Sequence, residues 1–202
     1  MSTRIKHAAG VLALALTCAA FAQTQPKPAR IRGEIVSLAG DTLTVHRRSG
    51  DTVKVTLKAD TPITALKNIL LQDIKPGSFV GTAATTGVDG KLTATEVLVF
   101  PESARGTGEG HYAWDLGPSS TMTNANVDEV VQATSGRDLK LSYKGGSNAV
   151  TVPENVPIVT FTPAGHDDLK PGKQVFVVAS PAGADYAAQR IVVEKNGVKP
   201  PM

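Results

Sequence analysis

An internal repetition constrains the fold of this 202-residue chain more than any other feature. Residues 73–77 read Asp-Ile-Lys-Pro-Gly, and residues 168–172, 95 positions later, read Asp-Leu-Lys-Pro-Gly. Further matches at offsets of 94 to 96 keep the same order: Glu34 with Glu129, Val36 with Val131, Leu43 with Leu139, Pro62 with Pro157, Ile63 with Ile158, Val80 with Val175 and Val97 with Ile191. Ordered landmarks at one spacing predict two copies of a small structural unit.

Each copy has the period-two alternation of short β-strands. In the first copy, Val53, Val55 and Leu57 share one face, and Ser49-Gly50-Asp51 before them is typical of a hairpin turn. Strands are also expected over 31–38, 42–46, 79–84 and 92–100. The apolar phase shifts between Ala94 and Val97, which indicates a β-bulge.

The residues between the third and fourth predicted strands favour a helix in the first copy. Leu66, Ile69 and Leu70 have the spacing of one helical face within 65–72, and Pro76-Gly77 would end the helix. Thr162-Pro163-Ala164-Gly165 replaces this stretch in the second copy, where we expect a shorter helix or none. Three strands, a helix and two strands is the order of an OB-fold barrel.

We therefore predict an all-β protein with two tandem five-stranded OB-like barrels and a short helix in the first. The first barrel spans 30–100, a connector 101–121, the second barrel 122–195 and a flexible tail 196–202. A sandwich or SH3-like barrel built from the same strands is the alternative fold.

The N-terminus has the pattern of an export signal. Arg4 and Lys6 precede a short apolar run at 11–16, and Ala20-Phe21-Ala22 supplies the small residues of a cleavage site. We predict a signal peptide over 1–22 and a periplasmic mature protein. Lipid attachment at Cys18 is the alternative, although Thr17 is not the usual preceding residue.

The composition gives no reason to expect nucleic acid as a partner or a membrane span in the mature chain. The chain has 21 Lys and Arg against 18 Asp and Glu, and loss of the leader's Arg4 and Lys6 leaves 19 against 18. A near-neutral mature chain with 4% aromatic residues gives no reason to expect nucleic acid as a partner. The apolar leader run is too short for a transmembrane span, so none is expected in the mature chain.

The export signal, Gly33-Glu34-Ile35-Val36, the repeated turn at 73–77 and a last strand like 92–99 resemble a bacterial exported small β-barrel (OB-like) family of unknown function. Residues 108–116 resemble a linker of its two-copy members. Some members carry the label of a metal ABC transporter permease, but a permease needs several long apolar spans. The resemblance thus implies a fold and almost no chemistry.

The connector carries the most unusual side chains. His111, Tyr112 and Trp114, the only tryptophan, are expected either to bind a ligand or to pack between the two barrels. Glu109, His111 and Asp115 offer oxygen and imidazole ligands for a divalent metal. His46 and His166 are more simply explained as polar surface residues.

No catalytic motif is found, so catalytic residues and an enzymatic activity are not expected. The prediction is a non-enzymatic exported binding or scaffold module of the bacterial envelope, with an unknown protein or small molecule as its partner and no cofactor. A periplasmic metal-handling protein that uses the connector is the alternative. An enzyme with a cleft between the barrels is a third hypothesis.

Overall fold

A computed structural model describes residues 28–133 and 136–200, so the predicted signal peptide and Cys18 lie outside the described residues. The predicted all-β class is confirmed. The strands are β1 Ala29–Ala39, β2 Thr42–Arg47, β3 Thr52–Thr56, β4 Ile63–Asn68, β5 Phe79–Thr86, β6 Leu92–Val99, β7 Gly110–Ala113, β8 Ser120–Ala133, β9 Gly136–Tyr143, β10 Gly146–Thr151, β11 Ile158–Pro163, β12 Gln174–Ala182 and β13 Asp185–Val193.

Strand pairing closes five strands into a barrel. Its order is β13-β12-β1-β2-β3, and β3 returns to β13 where Val55 pairs with Tyr186. We call this barrel the first ring. It encloses a core that includes Ile35, Leu43 and Ile191, because the apolar side of every strand faces inward. Closure leaves no strand edge of the ring free for other chains.

Five further strands pair in the matching order β6-β5-β8-β9-β10, and β10 meets β6 where Val150 pairs with Leu92. We call this set the second ring. Its core includes Val80, Leu139 and Leu141. The strands β4 and β11 lie between the rings, where they pair with each other and with β13 and β6 respectively.

The prediction of tandem barrels, one from 30–100 and one from 122–195, is not confirmed. Each ring combines three strands from one half of the chain with two from the other. The physical reason lies in β4, which leaves the first ring, pairs along β11 and carries the chain across, so that β5 and β6 join the second ring.

The predicted helix over 65–72 is wrong. Residues 63–68 form β4, which has strand partners on both sides, and only Leu71–Asp73 makes a single 3-10 turn. His166–Asp168 makes the same kind of 3-10 turn in the second half. The expected difference in helix between the two halves is therefore wrong. An isolated helix of eight residues is marginal in water, whereas a doubly paired strand satisfies its backbone groups.

The β-bulge predicted between Ala94 and Val97 is confirmed. Ala83 pairs with Glu96 and Ala84 with Ala94, which leaves Thr95 as the extra residue. A matching bulge in β13 leaves Gln189 as the extra residue next to Arg190. Beyond the bulges, Val97 and Ile191 enter the ring cores, and Glu96 and Arg190 occupy the same position in their two ladders.

The structure corrects part of the alignment between the halves. Ile35 pairs with Val45 and Val127 pairs with Leu141, and each is followed by a bulge, so the matching offset here is 92. Glu34 and Val36 are therefore not equivalent to Glu129 and Val131.

The repeated Asp-x-Lys-Pro-Gly turn fixes the contact between the halves. The amide of Gly77 donates to the carbonyl of Val127 at 2.7 Å, and that of Gly172 donates to Ile35 at 2.8 Å. Both glycines have positive φ, 85° and 83°, a conformation that other residues rarely adopt. Backbone geometry therefore accounts for the repetition of this turn.

Candidate functional site

A pocket of about 240 Å³ lies between the two rings. Strands of both rings, the bridging strands and the connector all contribute to its wall. The apolar part of the wall includes Leu66, Leu98, Phe100, Phe161, Phe176 and Val192. Most of these side chains belong to a small apolar cluster separate from the ring cores, so the pocket is a product of the way the two rings meet.

Glu96 is the most unusual residue of this pocket. Its side chain is 1% exposed, and neither carboxyl oxygen has a hydrogen-bond partner among the described residues. Burial raises the pKa of Glu96 to about 8, although the positive charge of Arg32 acts in the opposite direction. At neutral pH the group is therefore mostly the uncharged acid, which both donates and accepts hydrogen bonds.

Two more polar groups line the pocket with unused hydrogen-bonding capacity. Asn124 donates through Nδ2 to the carbonyl of Thr107 at 3.0 Å, while its Oδ1 has no partner in the described part of the chain. The indole Nε1 of Trp114 also lacks a partner there. Gly81 makes room for this arrangement, since a Cβ at that position would lie 2.7 Å from Asn124 Oδ1.

Arginine side chains form the other polar part of the wall. The guanidinium carbon of Arg30 lies 3.8 Å from the centre of the Trp114 ring, a cation–π contact. Arg190 is exposed over part of its surface, yet burial of the rest and the charge of Arg30 both lower its pKa. Burial raises the pKa of Tyr112, and the charges of Arg30 and Arg190 partly offset that rise.

The connector is fastened to the first ring by an ion pair. Arg32 donates to both oxygens of Asp115, at 2.8 and 3.1 Å. Burial alone would raise the pKa of Asp115, but the hydrogen bonds from Arg32 and the charges of Arg32 and Arg30 lower it below the usual value. The pair holds Trp114, the residue before Asp115, against β1.

The three connector residues predicted to bind or pack do not all reach the pocket. Tyr112 and Trp114 line it. His111 is not part of the lining: its Nδ1 is 2.8 Å from Thr123 Oγ1, and its ring stacks on Tyr143 at 6.3 Å. His111 and Tyr112 are neighbours in β7, which pairs with β8, so their side chains point to opposite faces.

The proposed metal ligands each have other neighbours. Glu109 accepts from the amide of Lys144 at 2.9 Å, His111 contacts Thr123, and Asp115 binds Arg32. Among residues 28–133 and 136–200, no group of three or more His, Cys, Asp or Glu side chains is arranged to hold a metal ion. His46 and His166 are both exposed, as expected for surface residues.

The sequence interpretation missed Glu96, Asn124, Arg30 and Arg190. A signal was present for Glu96, since a carboxylate follows directly on the phase shift and precedes three apolar residues, Val97 to Val99. The arginines gave none, because their strands carry ordinary alternating patterns. The four residues come from β1, β6, β8 and β13, strands that lie far apart in the sequence, and the pairing of these strands was not predicted.

Within the described residues, no helix is long and apolar enough to cross a membrane. Comparisons of the chain with protein-family models, with curated proteins and with solved structures gave no match.

Proposed function

We propose that this protein is an exported binding module of the bacterial envelope that holds a small, largely apolar molecule in the pocket between its two rings. The observation that carries the proposal is Glu96, a buried carboxyl group in an apolar, aromatic wall, for which the described part of the chain supplies no hydrogen-bond partner.

Leaving a buried polar group unpaired costs free energy of folding, so such groups in a pocket are candidates for contact with a ligand. Here Glu96, Asn124 and Trp114 all line the same pocket, and each has a buried polar atom without a hydrogen-bond partner among the described residues. A few polar groups on a mostly apolar wall is the usual composition of a small-molecule site. The pocket volume of about 240 Å³ lies below the usual range of roughly 300–1,000 Å³, which favours a small ligand.

An enzyme with a cleft between the barrels is supported less well. A carboxyl group with a pKa of about 8 has the acidity of a general acid near neutral pH. Catalytic acids, however, are commonly oriented by a second group, and Glu96 has no such partner in the described residues. We keep the prediction that the module is not an enzyme.

The proposal is tested with N-phenyl-1-naphthylamine, a neutral apolar dye whose fluorescence increases in apolar sites. We expect the purified protein to bind it saturably. Val178 lines the pocket, and Val178→Phe should fill part of the space and weaken binding at least tenfold. Val36→Phe is the matched control, because Val36 is 50% exposed and should leave binding unchanged. Equal dye binding by both variants, or none by the unaltered protein, contradicts the proposal.

A further inference from the structure

We propose that the pocket selects an organic anion, whose acidic group binds Arg30 and Arg190 while its apolar body lies along the aromatic wall. This inference rests on the proposed function and specifies the class of ligand.

The charges around the pocket leave positive charge unneutralised. Both carboxylate oxygens of Asp115 accept hydrogen bonds from Arg32. The distance from Asp115 Oδ2 to Arg30 Nη1 is longer, at 3.7 Å. Arg190 forms no ion pair with any described residue. Three guanidinium groups and one carboxylate leave a net charge of +2, which an anionic ligand would reduce.

The two arginines are also close enough to influence each other, since the charge of Arg30 lowers the pKa of Arg190. Like charges brought together by the fold repel, and an anion between them removes that repulsion. The planar guanidinium group suits carboxylate and phosphate oxygens, to which it donates two parallel hydrogen bonds.

The opposite side of the pocket is compatible with such a ligand. Glu96 holds the position in β6 that Arg190 holds in β13, each next to the extra residue of a bulge. Equivalent positions thus carry a guanidinium on one side and a carboxyl group on the other. Because Glu96 is mostly uncharged at neutral pH, it does not repel an anion.

Three probes with the same eight-carbon body separate charge from apolar contact: octanoate, 1-octanol and octylamine. Trp114 is the only tryptophan and lines the pocket, so its fluorescence reports binding directly. At pH 7 and low salt we expect octanoate to bind at least tenfold more tightly than either of the others. Acetate, which has the acidic group without the body, should bind far more weakly than octanoate.

Arg190→Gln should weaken octanoate at least tenfold and leave octanol unchanged. Arg48→Gln, an exposed arginine in the turn after β2, is the matched control and should change neither. Binding of octanol or octylamine that equals or exceeds that of octanoate overturns the anion inference and leaves the proposed function standing. If Arg190→Gln binds octanoate as tightly as the unaltered protein, the anion inference is also overturned and the proposed function still stands. Saturation by none of the three eight-carbon probes overturns both.

Discussion

Glu96 couples the stability of the folded protein to pH. Its folded pKa is about 8, against an ordinary value of 4.5. Between these values the folded protein keeps a proton that the unfolded chain has released. Stability is therefore lost as pH rises from about 4.5 to 8, and the loss is complete above 8. One pKa unit corresponds to about 1.4 kcal/mol, so the total is on the order of a few kcal/mol.

Glu96→Gln should remove this dependence, since glutamine has nearly the same shape and does not ionise. We expect the variant to gain stability relative to the unaltered protein as pH rises from 5 to 8, by a few kcal/mol in all. Urea unfolding at several pH values measures the difference. Glu154→Gln, at an exposed position, serves as control and should run parallel to the unaltered protein. Parallel curves for Glu96→Gln contradict the assignment of a raised pKa.

Gly33 is required for the close approach of β1 to β2. A Cβ at this position would lie 2.0 Å from the carbonyl oxygen of His46, which is backbone and cannot move aside. We expect Gly33→Ala to cost roughly 3 kcal/mol or more, or to prevent folding. Gly165→Ala is the control, since a Cβ there meets nothing within 4 Å. Thermal unfolding compares the two, and equal melting temperatures would show that this contact is not limiting.

At the scale of elements, the connector depends on one ion pair for its place against the first ring. The side chain of Arg32 is only 9% exposed, while that of Asp115 is 42% exposed. Asp115→Asn should leave a buried guanidinium poorly paired and cost about 1–2 kcal/mol, below the full cost of a buried pair because solvent reaches Asp115.

The matched control is Glu129→Gln, which removes a surface pair with Lys140 and should have little effect. Chemical unfolding of both variants is the measurement. Trp114 fluorescence should also shift in Asp115→Asn, because the ring next to the lost pair gains freedom. Unchanged stability together with unchanged fluorescence would show that the pair does not hold the connector.

Individual elements were predictable where local patterns decide them. The alternation of Val53, Val55 and Leu57 predicted a strand, and the phase shift after Ala94 predicted a bulge, because both reflect which face is buried. Residues 65–72 gave a wrong answer. Leu66, Ile69 and Leu70 fit a helical face, but the backbone of β4 gains hydrogen bonds from β11 and β13, which lie far away in sequence.

At the scale of the whole molecule, neither half contains all the strands of a ring. A fragment of residues 28–105 should therefore not form a stable monomer. It should be unfolded, or it should pair with a second copy that supplies the missing strands. Circular dichroism and sedimentation distinguish these states. Mixing it with residues 106–200 should restore the pocket and Trp114 fluorescence. A folded, monomeric first fragment would contradict this expectation and show that β5 and β6 can take the places of β12 and β13 beside the first three strands.

The exchange could not be read from the sequence, although the repetition was visible. Phe79–Thr86 and Gln174–Ala182 have similar apolar patterns, so either strand fits beside β1 or β8 by pattern alone. The choice decides which ring carries Glu96 and which carries Arg190, and both residues line the pocket between the rings. Side-chain patterns predict that a face is buried but not which copy buries it.

The partnership of β1 with β12 also has a kinetic consequence. Ala29 pairs with Ala179, so 150 residues separate partners in a ladder that the first ring needs for closure. Contacts of such high contact order form late, because the entropy of closing the intervening loop is lost before any pairing compensates it. The first three strands cannot close the ring, and their apolar faces stay exposed, until the last two strands are available for pairing. That interval, and not the finished fold, is where this chain is most vulnerable to aggregation and proteolysis.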